Sequence, residues 1–156
     1  MKEAIANAGV FNLIIIFVII LLAFFIGSLG YTKAFKVKNR IVDEIEKNEG
    51  YDAQVQETIE NDLKEIGYRM NTNSSRTNCP QEEFNDIKAN AINTKVNSNY
   101  QYCVYEFNTC GGNQEKPKCT VHYRVVAYMY FDVPVISSLI KIPVKGETVS
   151  FTTINS

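Results

Sequence analysis

Val10–Gly30, VFNLIIIFVIILLAFFIGSLG, runs for twenty-one positions without a charged side chain. As a helix rising about 1.5 Å per residue it would be roughly 31 Å long, close to the hydrocarbon thickness of a bilayer. Lipid offers no partner to backbone amides, so a segment of this kind has to satisfy them internally, as a helix. The remainder of the chain, residues 31–156, is mostly polar and is the part able to fold in water. The expected topology is a single-pass anchor carrying one domain.

A cleaved export signal is the competing reading. The strictest apolar core, Leu13–Ile26, has a length that a signal peptide could match, and Ser28 and Gly30 are small residues at plausible cleavage positions. Against this, Lys2 is cancelled by Glu3, which leaves a poor basic leader. The chain beyond the run also continues in helical style. In YTKAFKVKNRIVDEIEK, Val37, Ile41 and Ile45 recur every four residues, with no Pro or Gly from Tyr31 to Glu49. The reading is one long helix, its first half in lipid and its second half an amphipathic stalk. The divisions are then a short tail over 1–9, a transmembrane helix over 10–30, a stalk over 31–49 and an extracytoplasmic domain over 50–156.

Two signals compete over orientation. Lys33, Lys36, Lys38 and Arg40 lie after the apolar run while only Lys2 precedes it, which by the positive-inside rule places the C-terminal part in the cytoplasm. The cysteines favour the opposite side, because disulfides persist in oxidising compartments. The favoured location is the cell membrane, with the C-terminal domain outside.

Composition narrows the function classes. Sixteen basic and seventeen acidic residues are interspersed for a net charge of −1, so nothing points to nucleic acid. The four cysteines, Cys79, Cys103, Cys110 and Cys119, show no C-x-x-C spacing, and His122 is the one histidine, so no metal or cofactor is expected. Cys110 and Cys119 bracket the turn-rich GGNQEKPK, where a disulfide would close the loop and leave Cys79 to Cys103. Four cysteines allow three pairings, and spacing alone does not choose among them.

Within 50–156, Asp52 is a suitable N-cap for a helix whose Val55, Ile59, Leu63 and Ile66 form an apolar stripe, with Gly67 as its stop. Glu57, Glu60, Asp62 and Glu65 read as its solvated face. Tyr68–Pro80 reads as a polar loop and Gln81–Lys95 as a short, weak helix around Phe84, Ile87, Ala91 and Ile92. Beyond it the period changes to two. Tyr100–Asn108 and Thr120–Phe131 read as antiparallel strands, with Val121, Tyr123, Val125, Ala127, Met129 and Phe131 on one face of the second. Next come an apolar excursion, bounded by Pro134 and Pro143, and a last strand, Glu147–Ile154. The expected fold is α+β: a long helix, minor helices and a three-stranded antiparallel sheet. His122 reads as a surface or cross-strand residue rather than a catalyst. No phosphate loop, nucleophile elbow or paired-carboxylate signature is present, so neither catalysis nor a small-molecule substrate is expected.

In layout the chain resembles the type IV pilin and pseudopilin superfamily. The stretch YRVVAYMYFDVPVISSLIKIPVKGETVSF, Tyr123–Phe151, resembles the end of TadE-like pseudopilins of tight-adherence systems: an aromatic strand, a Pro-containing apolar segment and a final strand. The start, Gly9-Val10-Phe11-Asn12-Leu13-Ile14, is similar to the pilin pattern of a Gly followed by an aromatic and an apolar run. The resemblance makes Gly9 the candidate processing site, with Ile14 standing where prepilins usually carry Glu. It implies a minor pilin or pseudopilin on the bacterial surface, whose partners are the lipid bilayer and other pilin-like subunits met through the N-terminal helix. Asn12, strongly polar near the depth at which a family member buries its Glu, is the candidate for helix–helix contact. The alternatives are a membrane-anchored extracellular binding module and an accessory subunit of a membrane complex with a cytoplasmic domain.

Overall fold

The structure, a computed structural model, describes residues 2–68, 79–93, 100–109, 119–130 and 141–153. Helix α1 (Lys2–Lys47) is unbroken over 46 residues, so the apolar run and the stretch after it form one rod. Its two halves have different surroundings. From Gly9 to Lys33 the side chains are exposed or half-exposed. From Ala34 on, one face is buried: Ala34, Val37, Ile41 and Ile45 are at most 1% exposed. The amphipathic stretch is therefore the central helix of the domain rather than a spacer beneath it. The helix closes as Gly50 N donates to the Ile45 carbonyl at 3.1 Å and Glu49 takes a left-handed φ of 52°.

Helix α2 (Ala53–Ile66) forms as its local signals require. The Asp52 carboxylate accepts the Val55 amide at 2.8 Å, and Gly67, at φ 65°, turns the chain out of the helix. Val55, Ile59 and Leu63 are buried and extend the apolar layer begun by α1.

The sheet departs from the expected one. Strands β1 (Glu82–Phe84) and β2 (Ile87–Ala89) form a hairpin where the sequence suggested a helix over Gln81–Lys95. Asn85 and Asp86 adopt φ of 48° and 64°, the left-handed pair that a two-residue hairpin turn requires. Among the described residues the main sheet has four strands rather than three: β3 (Tyr102–Asn108), β4 (Cys119–Tyr130), β5 (Lys141–Glu147) and β6 (Phe151–Thr153). Strand β4 is central. Strand β3 lines one of its edges, while β5 and β6 share the other, pairing with Arg124–Tyr130 and Cys119–Val121 in turn. Strand β5 lies largely before the expected last strand, Glu147–Ile154, in the stretch read as an apolar excursion, and only β6 falls inside the expected strand. Thr148 separates the two by giving its amide to the Tyr123 carbonyl and accepting the Tyr123 amide on its hydroxyl. Pro143 lies inside β5, opposite Tyr128, where an edge strand tolerates the missing amide.

Both faces of the sheet are covered. Val125, Ala127, Tyr102 and Val104 pack under α1 and α2, while Cys103, Tyr105, Phe107 and Val126 pack under the hairpin. A bridge between Ala91 and Tyr105 joins the hairpin segment to β3.

Candidate functional site

The free half of α1 carries the features that the sequence marked for assembly. An 18-residue window within Gly9–Lys47 has a mean hydropathy of 3.1 and no buried residue. The helix is long and apolar enough to cross a membrane by length and composition. Phe11, Leu13, Phe17, Phe24 and Phe25 each leave more than half of their surface exposed. Gly9 lies on this rod, and a Cβ added there would meet nothing within 4 Å. Asn12 is likewise exposed on the free half, far from the sheet.

The base of the domain is where α1 enters the sheet layer. Ala34 packs with Met129 of β4 and Val144 of β5 as a small buried cluster, the lowest layer of the core. Directly below it the surface is aromatic and basic. Tyr31 and Phe35 stack at 6.2 Å between ring centroids, and the Lys38 ammonium lies 4.4 Å from the Phe35 ring centre. Lys33 donates to the Gly67 carbonyl at 3.0 Å and so satisfies the C-terminal end of α2. Beside it an open groove of about 340 Å³ runs between α1 and α2, lined by Lys36, Asn39, Arg40, Asp43, Asp62 and Glu65 with Ile66. Arg40 spans the groove to Asp62 at 2.7 Å.

The disulfide candidates are partly paired. Cys79 is bonded to Cys103, with 5.8 Å between the Cα atoms, which ties the segment before β1 to the centre of β3. On the loop-entropy model a link across 24 residues stabilises the fold by about 3 kcal/mol. Cys119 is disulfide-bonded as well, and Cys110 lies outside the described residues. Most of the polar loop expected over Tyr68–Pro80 and the apolar excursion from Pro134 also fall outside them.

Under the hairpin lies a charged cluster that the sequence did not mark. Arg124 binds Glu82 at 3.0 Å and Glu147 at 2.6 Å, and Lys145 reaches Glu82 at 2.7 Å. Burial works against the Glu82 carboxylate, but the hydrogen bonds and charges of Lys145 and Arg124 outweigh it and hold the group below the usual carboxylate range. The Arg124 guanidinium also lies 5.2 Å from the Phe84 and Phe107 ring centres. Next to it His122, buried and opposite Phe107 in the ladder, stacks on that ring at 5.2 Å and meets Phe84 edge-on at 4.6 Å. Its Nε2 has no hydrogen-bond partner among the described residues. Burial holds its imidazole below the ordinary value, with Arg124 acting in the same direction and Glu147 against it. The charges in this cluster satisfy one another, and what they accomplish is to fasten the hairpin onto β4 and β5. Among the described residues no group of His, Cys, Asp and Glu is arranged to hold a metal ion.

Comparison with known proteins finds no matching family model, no matching curated protein and no matching solved structure.

Proposed function

We propose that this chain is a single-pass, membrane-anchored structural protein, a TadE-like minor pilin or pseudopilin that joins a tight-adherence or secretion-type assembly without catalysing a reaction. The observation that carries the reading is the division of α1. One uninterrupted helix has an apolar, uncharged half exposed on all sides and a second half buried against an antiparallel sheet. A helix apolar all round needs lipid or other helices around it. The disulfide Cys79–Cys103 supports an oxidising, extracytoplasmic location for the domain.

Assembly through α1 is tested by photo-crosslinkers placed at Ile16 and Ile20 in the full chain in its native membrane. Adducts with further copies or with other single-helix subunits are expected, and lipid adducts alone would refute assembly. Asn12, whose amide would otherwise face hydrocarbon, is assigned to interhelical hydrogen bonding worth about 1 kcal/mol. Asn12→Leu should therefore reduce these crosslinks several-fold while leaving the protein resistant to carbonate extraction. Equal yields from the two forms would remove Asn12 from the contact.

A second reading has its own support, since Lys33, Lys36, Lys38 and Arg40 lie just after the apolar run and would retain the domain in the cytoplasm. Thiol labelling of intact cells with an impermeant reagent separates the two. Labelling that appears only after an impermeant reductant places the disulfides outside, and no labelling under either condition places them inside.

A further inference from the structure

The core begins immediately above the apolar run. Ala34, four residues beyond Gly30, is already 1% exposed, so no spacer separates the sheet from the span. The end of the sheet that meets this level is set by the register of β5. Ile142, Val144 and Gly146 alternate onto the face that looks toward α1. A Cβ on Gly146 would run into the Lys38 side chain, and Val144 packs on Ala34. One strand step therefore corresponds to about one helical turn, and the next step down places Ile142 near the level of Gly30 and Tyr31. Ile142 lies opposite Met129, yet it is 42% exposed. Tyr31, 53% exposed, is at the same height, and Phe35, 42% exposed, follows one turn above it and stacks on its ring. Three lysines belong to the same stretch of α1. Lys38 lies over the Phe35 ring, Lys33 reaches the Gly67 carbonyl and Lys36 lines the groove toward α2. None of them forms an ion pair among the described residues. Asp43, Asp62 and Glu65 line the groove on the α2 side together with Lys36, and there Arg40 pairs with Asp62.

We propose that the lower end of the sheet domain is itself a membrane-binding surface: Ile142, Phe35 and Tyr31 enter the interfacial layer, and Lys33, Lys36 and Lys38 contact the headgroups of anionic phospholipids. The proposal rests on α1 spanning the bilayer and adds that the domain is seated on the surface rather than held above it. Two arguments select lipid as the occupant. The patch adjoins the exposed apolar surface of α1, since Tyr31 directly follows the uncharged run and stacks on Phe35. Its chemistry, aromatic and aliphatic groups with lysines beside them, is that of an interfacial anchor, in which each lysine near an anionic surface strengthens binding to that surface by roughly fivefold.

The chain contains no tryptophan, so a single one reports its own depth. Full-length Ile142→Trp, Phe17→Trp and Val149→Trp are reconstituted in phosphatidylcholine vesicles with and without about a third phosphatidylglycerol, using acyl-brominated lipid as quencher. Phe17→Trp should be strongly quenched, Ile142→Trp clearly quenched and blue-shifted, and Val149→Trp, at the far end of the domain, unquenched. Brominated phosphatidylglycerol should quench Ile142→Trp several-fold better than brominated phosphatidylcholine. That preference should vanish in high salt or when Lys33, Lys36 and Lys38 are all changed to Gln. Strong quenching of Phe17→Trp with none at Ile142→Trp overturns this proposal and leaves the anchor intact. A blue shift at Ile142 without lipid quenching assigns the patch to another protein chain and also overturns it. Absence of quenching at Phe17 would overturn the membrane-spanning reading and the proposal with it.

Discussion

Two buried polar side chains show how single residues hold this fold together. Asn93, fully buried, accepts the Val104 amide on Oδ1 at 2.9 Å and donates from Nδ2 to the Tyr102 carbonyl at 2.7 Å, standing in for a neighbouring strand beside β3. Asn93→Ala would remove both bonds and deprive the buried Val104 amide of its side-chain acceptor, at an expected cost of about 1–3 kcal/mol in urea denaturation. A cost below about 0.5 kcal/mol would show that water or a shifted backbone replaces it. Nothing in the sequence distinguishes this residue from the fifteen other asparagines, because its importance comes from the strand it happens to meet. His122 is different, since its alternation along β4 places it opposite Phe107 but says nothing of what covers that face. Its folded value lies below the ordinary 6.5, so folding favours the neutral ring. That contribution is fully present above about pH 6.5 and is lost as pH falls through the lower folded value, where a proton would bring positive charge between Phe84 and Phe107 and next to Arg124. Glu82 has the carboxylate sign: its contribution holds above its ordinary 4.5 and is lost as pH falls below that. Melting temperature should thus decline in two steps on acidification. His122→Phe should remove the upper step and Glu82→Gln the lower, and a flat profile from about pH 7.5 to 5.5 in the unaltered chain would refute the role given to His122.

At the level of elements, legibility tracks the range of the signal. Helix α2 is readable because Asp52, Gly67 and the stripe Val55, Ile59, Leu63 all act within a few residues of one another. The hairpin misleads because Phe84, Ile87 and Ala91 also fit helical spacing, and strands of three residues are too short to show a period of two. The local indication was Asn85-Asp86, residues that tolerate left-handed backbone, and it was outweighed by the apolar spacing. Strand β5 is not legible because Pro143 marks its stretch as an excursion. The break between β5 and β6 could not be read locally, since it depends on Thr148 exchanging hydrogen bonds with Tyr123, 25 residues away. The contact of α1 with β5 allows a direct test of packing. Gly146 leaves room for the stem of Lys38 to cross β5, and any Cβ there would overlap that stem. Gly146→Ala should cost about 1–3 kcal/mol. Lys38→Ala in the same chain should restore most of it, and purely additive effects would show that the two residues do not meet.

For the whole molecule, the sequence conveys the single apolar rod and an α+β domain, but not where one ends and the other begins. Periodicity marks Val37, Ile41 and Ile45 as one face of a helix, and it cannot say what that face packs against. In the structure all three are fully buried under β3 and β4, together with Val55, Ile59 and Leu63. The folding unit should therefore start near Tyr31. A fragment covering 31–156 is expected to fold in water with a cooperative melt and intact near-ultraviolet dichroism. A fragment covering 50–156 lacks the α1 face that the sheet is built on and should remain unfolded, and a folded 50–156 would contradict the place given to α1 in the core. The feature with the widest reach is that α1 continues from the apolar run into the sheet without a joint. Gly30 to Lys47 measures about 25 Å along the axis, so tilting the rod by about 20° within the bilayer would carry the far end of the domain sideways by roughly 9 Å. Lifting the rod by one residue would raise the domain by about 1.5 Å. Mechanically the anchor is a strut, and a displacement of its embedded end is delivered undiminished to the sheet.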